Sequence, residues 1–292
     1  MSPAIDATVR LPSAPKGEGE IFKDVEEDEN VGGKAVNVAR WLALRGAKVA
    51  CGGLLGEDND GPFKRELSKY SIADGFERVP GATRRNEMIT WPGGSVKLNR
   101  SAFPGVKSID GMDCLRRARG CNVAIVSGSL PACCGKPFYA DAVGRLKDMG
   151  LKVVLDASGE AMRLALDARP DVIKPNAEEC EALVGFVPRS ADGFLRATDI
   201  LQKKAGHVII SDGGSGAWFD GEFFAAPKVD VADTTAAGDT LLAEYCWRTF
   251  GEILSAPEAA RWAVAAGSAA CTMPGGAPPP ADLVAALAKA AT

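Results

Sequence analysis

The strongest constraint on the fold is a regular alternation of short apolar runs and longer helical patterns in the second half of the chain. The runs at 123–126, 152–155, 172–173 and 208–210 are rich in β-branched residues and show no polar alternation. Such runs are typical of strands buried on both faces, so they predict an α/β fold with a mainly parallel sheet covered by helices. Each run ends in a polar loop, and ligands of open α/β sheets bind at those carboxyl ends.

The first hundred residues follow a different pattern. Residues 37–45 have helical spacing, whereas residues 7–31 are polar, charged and extended. The turn signal at 92–94 (Pro-Gly-Gly) predicts a β-hairpin outside the main sheet. We therefore predict one α/β domain spanning residues 1–292, with a small β lid built from segments at about 7–31 and 83–103.

Composition excludes several classes of protein. The formal net charge of −4 gives no nucleic-acid footprint, and no run of about 18 apolar residues predicts a membrane span. The eight cysteines include no CxxC pair and His207 is the single histidine, so structural zinc and a His-based triad are disfavoured. We expect a cytoplasmic protein with reduced, mostly buried thiols, with redox activity of the pair Cys133–Cys134 as the alternative.

The most informative segment is Asp-Thr-Thr-Ala-Ala-Gly-Asp at 233–239, followed by an apolar helical run. Small residues at 236–238 let the backbone approach a ligand closely, and the helix amino terminus offers free N–H groups to a phosphate. Asp239 stands at this terminus. It would either cap the helix or accept a proton from a substrate hydroxyl.

A second small-residue loop, Gly-Gly-Lys-Ala-Val-Asn at 32–37, also precedes a helical run. It could bind an oxygen-rich ligand or be an ordinary turn. The GxxxxGK[ST] and GxGxxG patterns are absent from the chain, so neither a Walker A loop nor a dinucleotide fingerprint is present.

Taken together, these motifs resemble the PfkB (ribokinase-like) carbohydrate kinases, and in particular their hexose-phosphate branch, the 1-phosphofructokinases and tagatose-6-phosphate kinases. The resemblance covers nearly the whole chain in order and implies a ribokinase-like three-layer α/β sandwich. The segments that carry it are 3–6, 32–39, 83–86, 127–131, 156–161, 174–179 and 233–239.

The resemblance implies a role for each matched residue. The catalytic base would be Asp239, and the backbone amides of Ala236, Ala237, Gly238 and Asp239 would hold the transferring phosphoryl group. The substrate would be bound by Asp6, Gly33, Lys34, Asn37, Arg84 and Ser129. The nucleotide would border Lys174, Ser211, Gly213, Gly216, Ala266 and Ser268, and Mg²⁺ would be positioned by Asn176 and Glu179.

The implied activity is ATP- and Mg²⁺-dependent phosphorylation of a hydroxyl on a sugar phosphate, with a monovalent cation and a homodimer through the lid as further possibilities. Two alternatives stay open. One is a kinase of an unphosphorylated sugar or a nucleoside, and the other is an inactive sugar- or nucleotide-binding relative. Neither nucleic acid nor a membrane is an expected partner.

Several site residues also have a simpler interpretation. Lys34, Arg84 and Arg85 could be solvated surface charges, Glu179 could belong to an acidic helix face, and Asn176 could be a plain N-cap. Ser129 could belong to an ordinary turn.

The sequence departs from the family pattern at four places. Ala35 replaces a glycine that is common in the hexose-phosphate branch, which could crowd the sugar loop. Ala236 stands where glycine is common, and we expect it to avoid positive φ. Asp212 introduces a carboxylate near the expected nucleotide phosphates. The family usually begins with a β-strand before the segment that matches 2–6, so we expect either a start further upstream or a sheet without this strand.

Overall fold

The computed structural model describes residues 2–23, 25–103, 106, 108 and 110–290. Its strands form three sheets of four, two and six strands. In chain order the strands are β1 (Ala4–Arg10), β2 (Glu26–Gly32), β3 (Ala50–Gly56), β4 (Ala73–Val79), β5 (Arg85–Trp91), β6 (Gly94–Leu98), β7 (Val123–Ser127), β8 (Lys152–Asp156), β9 (Val172–Ile173), β10 (His207–Ser211), β11 (Gly216–Phe219) and β12 (Glu222–Ala225).

The described residues form nine α-helices, and several of them pack against the two faces of the six-stranded sheet. They are α1 (Lys34–Leu44), α2 (Gly61–Lys69), α3 (Phe138–Asp148), α4 (Gly159–Ala165), α5 (Cys180–Val184), α6 (Ala191–Leu201), α7 (Ala237–Cys246), α8 (Ala256–Ala270) and α9 (Ala281–Ala290). A π-helical turn, Trp247–Gly251, continues α7. No helix in the described ranges is long and apolar enough to cross a bilayer.

The six-stranded sheet has the order β12-β11-β10-β9-β8-β7. Strands β7 to β10 are parallel, and β11 and β12 add an antiparallel hairpin. Val153 and Leu155 pack in one core with α3, α4 and α6, whereas Val154 packs in another with α7 and α8. Both faces are therefore buried, which explains the apolar runs of the sequence.

The four-stranded sheet, with the order β2-β1-β5-β6, corresponds to the predicted lid segments. Strand β1 pairs antiparallel with β2 and parallel with β5, and the predicted hairpin joins β5 to β6 around 92–94. Asp24, in the first lid segment, lies outside the described residues. Strand β2 ends at Gly32 and leads directly into α1, so this sheet is anchored next to the loop at 32–37.

The parallel pair β3-β4 forms a sheet of its own beside β7. The cysteines behave as expected, because all eight are free and Cys51, Cys114, Cys133, Cys134, Cys180 and Cys246 are buried.

Candidate active site

Helix α7 begins from a left-handed turn at Ala236, whose φ is +64°. The expectation that alanine avoids positive φ here is wrong, and this conformation costs a residue with a Cβ about 1–2 kcal/mol. The turn exposes the first turn of α7, and the backbone amides of Gly238 and Asp239 donate no hydrogen bond within the described residues. Free amides at a helix amino terminus form an anion-binding site.

Asp239 does not cap this helix. The N-cap position is Ala236, and Asp239 lies in the first turn with only 7% of its surface exposed. Its Oδ2 accepts a hydrogen bond of 2.8 Å from Nδ2 of Asn37, whose Oδ1 in turn accepts one of 3.3 Å from Arg40. The interpretation of Asp239 as a cap is therefore wrong, and its carboxylate is held by a helix 202 residues away in sequence.

The electrostatics of the site raise the pKa of the Asp239 carboxyl. Burial is the largest cause and repulsion from Asp156 the second, while Asn37, Lys34 and Lys174 act in the opposite direction. A carboxylate with a raised pKa is a stronger proton acceptor, which is the property that a general base needs.

Asp156, at the end of β8, is the site residue to which the sequence assigned no role. It is fully buried and its Oδ1 lies 2.9 Å from Nζ of Lys34 and 3.4 Å from Nζ of Lys174. Burial opposes the charge of Lys34, but the combined attraction to Asp156, Asp239 and Glu179 raises the pKa of Lys34. The short polar end of a buried parallel strand is the signal that could have found this residue.

The loop at 32–37 brings Asp6 to the same region. A Cβ on Gly32 would lie 1.8 Å from Oδ2 of Asp6, so glycine is required there to make room for the carboxylate. Gly33 has φ +111° and precedes α1. Oδ1 of Asp6 accepts a hydrogen bond of 2.8 Å from Asn86, its neighbour on β5 in the four-stranded sheet.

The two lid arginines differ in their partners. Arg84 is half-buried, and its guanidinium donates long hydrogen bonds of 3.3 and 3.4 Å to the carbonyls of Ser2 and Pro3. Arg85 instead forms surface ion pairs with Glu27 and Glu29. Ser129 is exposed, in the loop after β7.

Asn176 and Glu179 form a reciprocal turn. The amide of Asn176 donates to Oε2 of Glu179 at 2.9 Å, and the amide of Glu179 donates to Oδ1 of Asn176 at 2.7 Å. Both side chains are half-buried, and Glu179 also contributes to the field at Lys34. The cap interpretation of Asn176 thus describes one of its contacts, and the second carboxylate oxygen of Glu179 stays available.

The expected nucleotide loop begins beside this turn, since Ser211 pairs with Asn176 in an isolated β-bridge. Gly213 has φ +52° and is exposed, whereas a Cβ on Gly216 would lie 2.1 Å from the carbonyl oxygen of Phe224. Asp212 is half-buried and forms no ion pair with another described residue.

One nucleotide residue expected from the sequence is not supported. Ala266 is fully buried and packs in a core cluster with Val38 and Trp41, so its side chain offers no surface to a nucleotide. Ser268, two residues further along α8, keeps 7% of its surface exposed. Residues two apart in an α-helix lie on nearly opposite sides of it, so Ala266 and Ser268 have different neighbours.

The comparisons with known proteins agree with this geometry. The chain matches the pfkB family of carbohydrate kinases over residues 2–282. It is 33% identical to a 1-phosphofructokinase of Rhodobacter capsulatus, covering 100% of this chain and 95% of that protein. It is 34% identical to a 1-phosphofructokinase of Escherichia coli K12, covering 83% and 80%.

Solved structures match the fold. Phosphofructokinase-2 from Escherichia coli, in complex with potassium, superposes with a TM-score of 0.87 at 23% identity, covering 100% of this chain and 97% of that one. Arabidopsis thaliana ribokinase, complexed with ribose and ATP, gives a TM-score of 0.79 at 22% identity, covering 99% and 96%.

A ribokinase-like α/β fold with a buried acid at a helix amino terminus defines a class of phosphotransferases that use an alcohol group as acceptor. Within that class, this chain belongs to the pfkB family of carbohydrate kinases. The predicted fold class, family and enzyme class are thereby confirmed.

Proposed function

We propose that this protein phosphorylates a hydroxyl group of a hexose phosphate of the fructose 1-phosphate type, with ATP as donor and Mg²⁺ as cofactor. The observation that carries the proposal is the pairing of a buried Asp239 carboxylate with unpartnered amides in the first turn of α7. The similarity to 1-phosphofructokinases along most of the chain supports the substrate class.

Asp239 acts as the general base in this proposal. Asn37 fixes the carboxylate, and the raised pKa of Asp239 strengthens its attraction for the proton of the attacking hydroxyl. The amides of Gly238 and Asp239 stabilise the charge on the transferring phosphoryl group, together with those of Ala236 and Ala237. Fixed donors are suited to this task because phosphoryl transfer depends mainly on positioning and charge stabilisation.

Substrate recognition uses the opposite wall of the site. Asp6, Gly33 and Asn37 provide donors and acceptors for sugar hydroxyls. Lys34 and Arg84 hold the phosphate that the substrate already carries, and the long bonds of Arg84 to two carbonyls are readily exchanged for bonds to an anion. Ser129 completes the proposed substrate set from the loop after β7.

Asn176 and Glu179 fit Mg²⁺ by donor type, because Mg²⁺ prefers oxygen ligands and keeps several waters. In the part of the chain that the structure describes, no cluster of three or more His, Cys, Asp or Glu side chains is placed to hold a metal. The bound ion would neutralise phosphate charge. Lys174, Ser211, Gly213, Gly216 and Ser268 are the proposed nucleotide contacts.

A sugar panel with coupled ADP release tests the proposal. We expect fructose 1-phosphate to be turned over with a kcat/KM at least tenfold above fructose 6-phosphate, tagatose 6-phosphate, ribose and adenosine. Fastest turnover of ribose or adenosine would instead support the ribokinase-like alternative. ADP release with none of the sugars would support an inactive relative.

We also propose a homodimer through the lid, since Val96 and Leu98 on β6 are 46% and 42% exposed and lie on one face. The experiment is light scattering of the wild type and of Val96→Glu, which we expect to be monomeric. A monovalent-cation requirement is tested by replacing potassium with tetramethylammonium in the same assay.

A further inference from the structure

Arg40 is a buried charged side chain to which the proposed mechanism assigns no task. It lies on α1, three residues after Asn37, and only 6% of its surface is exposed. A guanidinium is always charged in proteins, and burying a charge is costly unless partners compensate it. The position of Arg40 inside the protein therefore requires acceptors around its guanidinium.

Three elements supply these acceptors. Nη1 donates a hydrogen bond of 3.3 Å to Oδ1 of Asn37 on α1, and Nη2 donates to the carbonyl oxygen of Val31 near the end of β2. Nε lies 2.5 Å from Oε1 of Glu66 on α2, whose side chain is 20% exposed. The planar fork of an arginine is suited to several acceptors at fixed angles, whereas the ammonium of a lysine is a compact point charge.

The contact with Val31 holds the turn that leads into α1. Gly32 lies against the carboxylate of Asp6, and Gly33, the N-cap residue of α1, has no side chain with which to cap the helix. The turn therefore lacks the stabilisation that a Ser, Thr, Asp or Asn cap supplies. Arg40 replaces it in part, because its guanidinium ties the carbonyl just before the turn to the helix just after it.

The contact with Asn37 determines which end of the Asn37 amide faces Asp239. A carboxamide has a donor end and an acceptor end, and a half-turn about its last bond exchanges them. Arg40 donates to Oδ1 of Asn37, so Nδ2 is the end that faces the carboxylate of Asp239, 2.8 Å away. The donor end is the one that stabilises a carboxylate, because a carboxylate only accepts hydrogen bonds.

We propose that Arg40 is a positioning residue of the active site, which acts through Asn37 and the turn at 32–33 to hold the catalytic carboxylate and the sugar-binding loop in one arrangement. This rests on the proposed function, in which Asp239 is the general base and Asn37 binds both Asp239 and the sugar. Arg40 acts from behind the site, because nearly all of its surface is covered by protein. Without its fork, the Asn37 amide is free to turn and its hydrogen bond to Asp239 is weakened.

The test is Arg40→Lys, which keeps the charge of the side chain but removes the fork. The hydrogen bond from Asn37 lowers the pKa of Asp239, so we expect the pKa of Asp239 to rise above its wild-type value in this variant. The other charged groups that act on Asp239 stay in place, namely Asp156, Lys34 and Lys174. Carbon-13 NMR titration of the aspartate carboxyls measures the change, and Asp239→Asn identifies the resonance.

Activity on the sugar panel gives a second readout. We expect Arg40→Lys to lower kcat/KM for the sugar about tenfold, since hydrogen bonds to charged groups are among the stronger ones. The acidic limb of its pH–rate profile should move to higher pH. KM for ATP should not change, because the described partners of Arg40 include none of the proposed nucleotide contacts. Absence of turnover in the wild type with every sugar refutes the proposed function, whereas the carboxyl titration needs no substrate and still decides the role of Arg40.

The control is Arg45→Lys, the same substitution at the end of α1. Arg45 is half-buried, and its Nε lies 3.3 Å from Oε2 of Glu244. Weakening of a buried ion pair is common to both lysine variants, but only Arg40→Lys should change the pKa of Asp239 and kcat/KM for the sugar. Equal pKa values of Asp239 in the wild type and Arg40→Lys, or equal shifts in both lysine variants, overturn the proposal.

The route through Asn37 is tested in an Asn37→Ala background. We expect Arg40→Lys to shift the pKa of Asp239 no further there, because residues that act through one contact are not additive. A shift of the same size with and without Asn37 overturns the proposal. If Arg40→Lys does not fold, proton exchange of the Arg40 guanidinium decides. The Nη1 protons should exchange faster in Asn37→Ala than in the wild type, and equal exchange overturns the proposal.

Discussion

The two ends of the parallel strands differ in almost every physical property. At the carboxyl ends, buried charged groups are held by specific partners, as Asp156 is by two lysines and Asp239 is by Asn37. At the amino ends of β3 and β7 lies a mostly apolar slot of about 500 Å³, and the described strands do not pair across it. Helix α1 contributes to both regions, with Lys34 and Asn37 at the site and Val38 and Leu42 at the slot.

The largest effect is expected from Asp239→Asn, which keeps the shape of the carboxyl but removes the base. We expect kcat to fall by about 10²–10⁴ with little change in nucleotide affinity. Steady-state assays and nucleotide titrations measure the two quantities. Asp192→Asn, in the exposed first turn of α6, is the control and should retain wild-type turnover. Unchanged kcat in Asp239→Asn would remove the base from the mechanism.

The next largest effect concerns Glu244, which joins α7 to α1. It is fully buried and accepts hydrogen bonds of 2.8 Å from Trp41 and from Arg248. Glu244→Ala leaves buried donors and charge unpaired, so we expect the free energy of unfolding to fall by about 3–5 kcal/mol, measured by urea denaturation.

The control for Glu244→Ala is Glu252→Ala, because Glu252 pairs with the same Arg248 from an exposed position. It should lose less than about 1 kcal/mol. The KM values of folded Glu244→Ala should resemble the wild type. If both variants lost the same free energy of unfolding, burial of Glu244 would not explain its contribution to stability.

A smaller effect is expected from Arg84→Ala, which removes one group of the proposed phosphate clamp. KM for phosphorylated sugars should rise about tenfold or more, since hydrogen bonds to charged groups contribute about 1.5–3 kcal/mol. KM for unphosphorylated sugars should not change. Arg85→Ala, which removes ion pairs to Glu27, Glu29 and Glu87, is the matched control. A similar rise for both kinds of sugar would argue against the clamp.

The raised pKa of Asp239 also predicts a pH effect on stability. The folded protein binds this proton more tightly than the unfolded chain, so ionisation of Asp239 lowers stability as pH rises from the ordinary value of 3.8 through the raised pKa. Asp239→Asn should therefore have a higher Tm than the wild type at pH 7. The difference should disappear towards low pH in scanning calorimetry. A lower Tm at pH 7 would indicate that Asp239 stabilises the fold instead.

The same pKa sets the acidic limb of activity. We expect kcat/KM of the wild type to fall as pH decreases through the raised pKa of Asp239, above the range of an ordinary aspartate. A pH–rate profile with its acidic limb at the ordinary value would contradict a buried base.

The smallest effect is expected at the pair His207–Asp220. The hydrogen bond from Nδ1 of His207 to the Asp220 carboxylate raises the pKa of His207, and both groups lie near the surface. The pair's stabilisation is complete below the ordinary pKa of 6.5 and is lost as pH rises through the raised value. Asp220→Asn should cost less than about 1 kcal/mol, with a larger loss of Tm at pH 5.5 than at pH 8.5. A pH-independent loss would assign the effect to backbone contacts.

Much of the fold could be predicted because its signals are local. The apolar runs of β7 to β10, the hairpin at 92–94 and the small-residue entry to α7 were all readable from neighbouring residues. The choice between the two interpretations of Asp239 depended on a distant partner. Local sequence left Asp239 as either a helix cap or a proton acceptor, and in the folded chain Asn37 holds its carboxylate.

The sequence by itself determined the family, the parallel sheet and most candidate site residues, because motifs and hydrophobic periodicity are short-range properties of a chain. Tertiary structure alone decided that Asp156 joins Lys34 to Lys174, that Ala266 faces a core, and that an apolar slot separates β3 from β7. Each of these results depends on residues far apart in sequence. These residues come together only in the folded chain, because the partner of a buried charge or an apolar side chain can lie anywhere in the sequence.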